Sequence, residues 1–174
     1  MRALVVYESM YGNTERIAVA IAEGLGPDAV AVEVGAAPRD LPPEVDLLVV
    51  GGPTHGHGMS QPATRENASG HADRPVVSPG EGIREWIAGL RADRAVRFTA
   101  FDTRIKGPKL LWGSAAESAA KALSARGFQQ AAPPASFLVG GPLGSPYDRL
   151  VAGELDRARE LGRSLAALLP APSR

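Results

Sequence analysis

Apolar residues occur along the chain in two alternating patterns, short continuous runs and stretches with helical spacing. The runs predict five buried strands, at residues 3–7, 30–34, 45–50, 96–101 and 136–139. Apolar side chains spaced by three and four residues predict amphipathic helices at residues 14–25, 83–90, 114–125 and 149–169. This alternation is typical of an α/β protein with a parallel sheet and helices on both faces.

Two of the predicted connections are unusually long. Residues 53–82 and 102–113 each follow a strand and precede a helix, where connections of about 2–6 residues are usual. The first is rich in Gly, Pro, Ser, Thr and His. Ligands of open α/β sheets bind at the carboxyl ends of the strands. We therefore expect these two loops and the turn after the first strand to form one site.

Length and composition are those of an ordinary globular domain. The chain has 174 residues, 44% of them hydrophobic and 22% charged, which predicts one domain over residues 1–170 and a short tail at 171–174. No charged and apolar leader opens the sequence, and no apolar run reaches the roughly 20 residues of a membrane span. We expect a cytoplasmic protein without a membrane partner.

The charges and the missing cysteines exclude several function classes. Nineteen basic residues balance 19 acidic ones without a basic stripe, which weighs against a nucleic-acid partner. The chain has no cysteine, so it can form no disulfide, catalytic thiolate or cysteine-ligated metal site. His55 and His57 share a loop but lack a matching third ligand, so no metal site is predicted.

The turn after the first strand carries the clearest chemical signal. It reads Ser-Met-Tyr-Gly-Asn-Thr over residues 9–14 and leads directly into a helix. A helix N-terminus offers unpaired N–H groups and a partial positive charge to a phosphate. The P-loop pattern with its lysine is absent, which favours a monophosphate over a nucleoside triphosphate. In the alternative interpretation, Asn13 and Thr14 cap the helix; we expect capping in either case.

These residues resemble the flavodoxin superfamily. Its phosphate loop reads Thr/Ser-x-Thr-Gly-x-Thr, and residues 9–14 match the first hydroxyl, the glycine and the last threonine. A tyrosine in the middle looks like the loop of flavodoxin-like NAD(P)H:quinone reductases. The second loop, Gly-Gly-Pro-Thr-His-Gly-His-Gly-Met over residues 51–59, is similar to the Gly-x-Pro-Thr-Arg loop of the same reductases.

The resemblance implies a flavodoxin-like, doubly wound five-stranded parallel sheet of order 2-1-3-4-5 and a non-covalent FMN. The implied cofactor-binding residues come from the three connections: Ser9, Met10, Tyr11, Gly12, Asn13, Thr14, Pro53, Thr54, His55, Gly56, Asp102, Thr103 and Arg104. Arg104 or Lys106 would place positive charge near the reduced flavin. Weak catalytic candidates are His55, His57 and Arg104; a histidine there could give a proton to a reduced quinone.

Two departures from the flavodoxin pattern bear on function. Neither the second nor the third loop has an aromatic residue at the expected tip, although Trp112 and Tyr147 lie further along the chain. The chain is neutral, whereas flavodoxins that act as carriers are usually acidic. Three functions stay open: an NAD(P)H-dependent reductase of quinones or similar acceptors, an electron carrier that docks a redox protein, and a flavin-free interaction domain. The departures weigh against the carrier, and the oligomeric state is not predicted.

Overall fold

A parallel sheet forms the centre of the computed structural model, which describes residues 2–107, 113–140 and 149–169. Its strands are β1 (Ala3–Tyr7), β2 (Ala29–Glu33), β3 (Leu47–Pro53), β4 (Arg97–Ile105), β5 (Gln129–Gln130) and β6 (Ala135–Val139). They run in the order β2-β1-β3-β4, and both β5 and β6 pair in parallel with β4. The predicted order 2-1-3-4-5 is confirmed.

The fifth position of the sheet is shared by two segments. β5 pairs with Arg97 and Phe98 near the start of β4, and β6 pairs with residues 101–105 at its end. Pro133 and Pro134 lie between the two segments and have no N–H to donate to a neighbouring strand. The prolines therefore account for the interruption, and the two-residue β5 is too short for a sequence pattern to reveal.

Helices cover both faces of the sheet. They are α1 (Asn13–Leu25), α2 (Pro62–Gly70), α3 (Ile83–Gly89), α4 (Ala115–Ala125) and α5 (Glu154–Ala166). Alternate strand residues point to opposite faces: Val5 and Val49 pack with α1 and α5, whereas Val6 and Val50 pack with α3 and α4. None of the helices in the described part of the chain has the length and apolar character needed to cross a membrane.

The structure corrects several predicted boundaries and one predicted loop. Residues 102–104 belong to β4, which continues to Ile105, because they pair with β6 and, up to Thr103, with β3. The last helix begins at Glu154, not at residue 149. The predicted loop 53–82 contains helix α2, which has no apolar face and buries only Arg65. Hydrophobic periodicity cannot detect such a helix. The predicted tail, residues 171–174, lies outside the described residues.

Helices α1 and α5 approach each other through two glycines. A Cβ on Gly24 would lie 2.1 Å from the carbonyl oxygen of Arg159, and one on Gly162 would lie 2.2 Å from that of Ile21. Neither position has room for a side chain, so the two helices are in backbone contact here. Glycine costs about 1 kcal/mol relative to alanine in a helix interior, and this cost is offset by the close packing.

Gly24→Ala should destabilise the protein by about 1–3 kcal/mol, because the added methyl group overpacks the contact between α1 and α5. The sign of the change in unfolding free energy is diagnostic, since replacing glycine by alanine normally stabilises a helix interior. Denaturant unfolding followed by circular dichroism measures the change. Gly70→Ala is the control, because nothing lies within 4 Å of a Cβ at the end of α2. An equal or greater stability of Gly24→Ala would contradict the close packing of the two helices.

Candidate cofactor site

The turn between β1 and α1 presents the start of a helix to the carboxyl edge of the sheet. Gly12 is the N-cap residue of α1, with φ of +92°, and no side chain caps the helix. The expectation that Asn13 and Thr14 cap α1 is therefore wrong. Asn13 instead accepts a hydrogen bond from the backbone N–H of Arg149 at 3.2 Å. The first turn of α1 has N–H groups without acceptors in the helix, together with the positive end of its dipole.

The hydroxyls of Ser9 and Thr14 in this turn are buried, and each is held by a hydrogen bond within the protein. Ser9 Oγ accepts a hydrogen bond from the N–H of Gly12 at 3.1 Å. Thr14 Oγ1 and Thr103 Oγ1 lie 2.7 Å apart, and either can be the donor. The bond from Gly12 leaves the hydroxyl proton of Ser9 unused, and the threonine pair uses only one of its two protons. Both groups therefore keep a donor for an anionic oxygen.

The loop after β3 is fixed by its backbone and by Thr54. The N–H of Thr54 donates to the carbonyl of Thr103 at 2.9 Å, and that of His55 donates to Gly58 at 3.0 Å. Thr54 Oγ1 donates to Asp102 at 3.2 Å and accepts from the N–H of Ala115 at 3.0 Å. The hydroxyl proton of Thr54 is thus used within the protein.

Asp102 lies under the start of α4 and not on the cavity wall. Its side chain is fully buried. Oδ2 accepts hydrogen bonds from Ser114 Oγ at 2.5 Å and from the N–H of Ala116 at 3.0 Å, in addition to Thr54. This carboxylate satisfies the N-terminus of α4. Sequence alone placed Asp102 in a loop against the cofactor, because the end of β4 was predicted too early.

A cavity opens between the turn after β1, the loop after β3 and the end of β4. Its described wall consists of Ser9, Met10, Tyr11, Asn13, Thr14, Pro53, Thr54, His55, Thr103, Arg104, Ile105, Val139, Gly140 and Arg149. Ten of these were predicted from the sequence. Gly12, Gly56, His57 and Asp102 were also predicted but do not line it. The structure thus brings together most of the predicted residues at the topological switch point.

The residues missed by the sequence come from the ends of the last two strands and from the segment before α5. Ile105 ends β4, Val139 ends β6 and is followed by Gly140, and Arg149 precedes α5. The parallel topology was the available signal, because the carboxyl end of β6 lies at the same edge as that of β4. Trp112 and Tyr147, the aromatic residues noted further along the sequence, lie outside the described residues.

The charges on the described wall are all positive. Arg104 and Arg149 line it, and no carboxylate does so within the part of the chain that is described. Arg104 Nη1 donates to the carbonyl of Gly107 at 2.9 Å. Its Nε is buried without a hydrogen-bond partner among the described residues, and such an orphaned donor suits an anionic or carbonyl ligand. Lys106 is exposed and does not line the cavity.

The histidines differ in their surroundings. Burial, together with the nearby charge of Arg65, lowers the pKa of His55, so its imidazole is uncharged at neutral pH. His55 Nδ1 lies 3.1 Å from Thr64 Oγ1. The uncharged state of His55 disfavours a role as proton donor and favours a hydrogen bond to a ligand. His57 is exposed, and His71 contacts the carbonyl of Asn67. No metal-binding cluster of three histidine or acidic side chains occurs in the described ranges.

These residues fit a phosphorylated flavin. The uncapped start of α1 and the hydroxyls of Ser9, Thr14 and Thr103 suit the phosphate, and the orphaned Nε of Arg104 suits a polar ring edge. Gly51 and Gly52, near the end of β3, serve packing instead. A Cβ on Gly51 would lie 2.0 Å from the ring of Phe101, and one on Gly52 would lie 2.8 Å from Ile83.

Comparison with solved structures shows the same fold in several flavodoxins. An archaeal flavodoxin is 19% identical with a TM-score of 0.63, covering 97% of this chain and 98% of that one. The flavodoxin of Streptococcus pneumoniae TIGR4 is 18% identical with a TM-score of 0.61, covering 97% and 100%. A WrbA-like flavodoxin from Agrobacterium tumefaciens is 21% identical with a TM-score of 0.53, covering 96% of each chain.

The sequence comparisons agree with the fold. Residues 5–75 match the flavodoxin family model, and the match includes the turn after β1 and the loop after β3. Among curated proteins, no sequence match was found. FMN as the cofactor stays a prediction for this chain, in keeping with the flavodoxin model that matches residues 5–75. Residues 5–75 are thus similar in sequence to flavodoxins, and the described fold is that of a flavodoxin.

Proposed function

We propose that this protein binds one FMN non-covalently and transfers electrons through it. The observation that carries this proposal is a cavity at the uncapped N-terminus of α1, with two arginines and no carboxylate on its described wall. Bound FMN would supply the redox chemistry, accepting and releasing electrons at its ring. The protein would supply binding, orientation and charge.

Each part of the wall has a distinct task in this proposal. Ser9, Thr14 and the first N–H groups of α1 hold the phosphate, which fixes the cofactor. The loop after β3 supplies backbone groups and the uncharged His55. Arg104 provides a positive charge that stabilises electrons added to the ring. Its donation to the carbonyl of Gly107 orients the guanidinium.

We further propose that the protein is an NAD(P)H-dependent reductase of quinones or similar planar acceptors. Tyr11 is the one aromatic side chain on the described wall, and its hydroxyl donates to the carbonyl of Ala68 on α2 at 2.9 Å. The described wall thus has no pair of aromatic rings that would cover both faces of a flavin. A face left open suits a small planar donor or acceptor. The second candidate is an electron carrier, which the shared fold with flavodoxins favours.

FMN should bind far more tightly than riboflavin, because only FMN carries the phosphate that the turn after β1 can hold. Quenching of flavin fluorescence on titration with the cofactor-free protein measures both affinities. A stoichiometry of one FMN per chain is expected. Comparable affinities for FMN and riboflavin would contradict the proposed phosphate site.

Ser9→Ala and Thr14→Ala should each weaken FMN binding by about 1.5–3 kcal/mol, the value of a hydrogen bond to a charged group. Because neither side chain caps α1, the loss should appear in binding more than in stability. Titration with FMN and thermal unfolding of the cofactor-free variants separate the two effects. Lowered stability with unchanged FMN affinity would show that the hydroxyls serve only the fold. Ser69→Ala, on the exposed side of α2, is the control.

NADPH alone should bleach the absorbance of the bound flavin, and a quinone should restore it. Arg104→Ala should slow the bleaching, because it removes the positive charge at the cavity wall. Lys106→Ala is a matched control that removes an exposed charge two residues away. Stopped-flow absorbance measures both rates. Flavin that stays oxidised under NADPH but accepts electrons from a partner reductase would support the carrier instead.

A further inference from the structure

Helix α2 is held to the protein by polar contacts and not by apolar packing. Its nine residues, Pro62–Gly70, bury a single side chain, that of Arg65. A helix without an apolar face contributes little burial of its own and depends on specific contacts for its position. The position of α2 therefore depends on the partners of Arg65 and on the few other polar contacts that the helix makes.

Arg65 is a buried cation inside a closed polar cluster. Only 8% of the residue is exposed. Its Nη1 donates to Ser60 Oγ at 2.9 Å and lies 3.3 Å from Glu85 Oε2 on α3. A Cβ on Gly82 would lie 2.6 Å from three atoms at once, Arg65 Nη1, Ser60 Oγ and Glu8 Oε2. Only glycine fits at this point, so the cluster is closely packed around its backbone.

Glu8 lies in the same cluster, directly before the turn that joins β1 to α1. It is fully buried, and its Oε2 accepts a hydrogen bond from the N–H of Ile83 at 3.0 Å. Burial raises the pKa of Glu8, while Ser60, Ile83 and the charge of Arg65 act in the opposite direction and Glu85 raises it further. Arg65 is thus the cation that compensates the carboxyls of Glu8 and Glu85.

The same helix contacts two side chains of the cavity wall. Tyr11 donates to the carbonyl of Ala68, and His55 Nδ1 lies 3.1 Å from Thr64 Oγ1. The chain after α2 is then hydrogen-bonded to the turn between β1 and α1, since the N–H of Ser78 donates to the carbonyl of Ser9 at 2.8 Å. The segment from Ser60 to Ser78 is therefore attached to both loops that line the cavity.

We infer that Arg65 is a positioning residue for the cofactor site: its guanidinium fixes α2, and α2 fixes Tyr11 and His55 in the cavity wall. This inference rests on the proposed binding of FMN. Arg65 does not line the cavity, so it acts through the two side chains that do. Without it, α2 has no buried anchor, and the wall formed by Tyr11 and His55 loses its support.

Arg65→Gln and Arg65→Lys test the inference. Arg65→Gln should weaken FMN binding about tenfold, a loss comparable to that of one intramolecular hydrogen bond. It should also speed amide exchange over residues 62–71 of the cofactor-free protein. It should also raise the pKa of His55, followed by NMR, because Arg65 lowers that pKa. Arg65→Lys keeps the charge and should retain most of the wild-type FMN affinity, amide protection and His55 pKa. Glu66→Gln, on the exposed side of α2, is the matched control.

The outcomes separate the positioning role from the proposed function. Unchanged FMN affinity, amide exchange and His55 pKa in Arg65→Gln would overturn the inference. If Arg65→Gln does not fold, Tyr11→Phe removes the hydrogen bond to Ala68 of α2 without touching the buried cluster; unchanged FMN affinity and amide exchange would then overturn the inference. A wild-type protein that binds no FMN would overturn the proposed function, while amide exchange and the His55 pKa would still decide whether Arg65 holds α2 and His55 in place.

Discussion

The unsatisfied N–H groups at the start of α1 are the constraint around which the site is built. Gly12 turns the chain into the helix with a positive φ and has no side chain to cap it. α4, at the same edge of the sheet, is treated differently, because Ser114 and Asp102 satisfy its first N–H groups. Two neighbouring helix ends therefore differ, since side chains satisfy the start of α4 and no side chain caps the start of α1.

Asp102 shows how the sheet keeps its negative charge away from the cavity. Asp102 directly precedes the wall residue Thr103, yet the hydrogen bonds of its carboxylate all run to Thr54 and the start of α4. Since neighbouring residues of a strand point to opposite faces, a shift of one residue would place this charge on the other face. The register of β4 against β3 and β6 is thus part of the electrostatic design of the site.

The sequence was informative where the spacing of apolar residues, or the polar residues before a helix, determines the local structure. Buried apolar runs predicted the strands, and a hydroxyl-rich turn before a helix predicted a phosphate site, whereas the strand order was implied by the resemblance to flavodoxins. Helix α2 was invisible, because a helix held by Arg65 leaves no apolar stripe. Asp102 was misplaced, because strand pairing extends β4 through polar residues that end the apolar run. Arg149 was missed, because its place on the wall depends on how the end of β6 meets α1 in space.

The hydroxyl pair of Thr14 and Thr103 has a consequence for how the site responds to charge. Either oxygen can donate to the other across 2.7 Å, so the direction of this bond can reverse without movement of heavy atoms. One proton always remains outside the bond, on whichever oxygen is accepting. A phosphate loses its second proton near pH 6, so in the proposed FMN complex a reversal of the pair would let the nearest threonine oxygen meet either ionisation state of the phosphate. The two threonines thus form an adaptable donor that joins the first helix to the fourth strand.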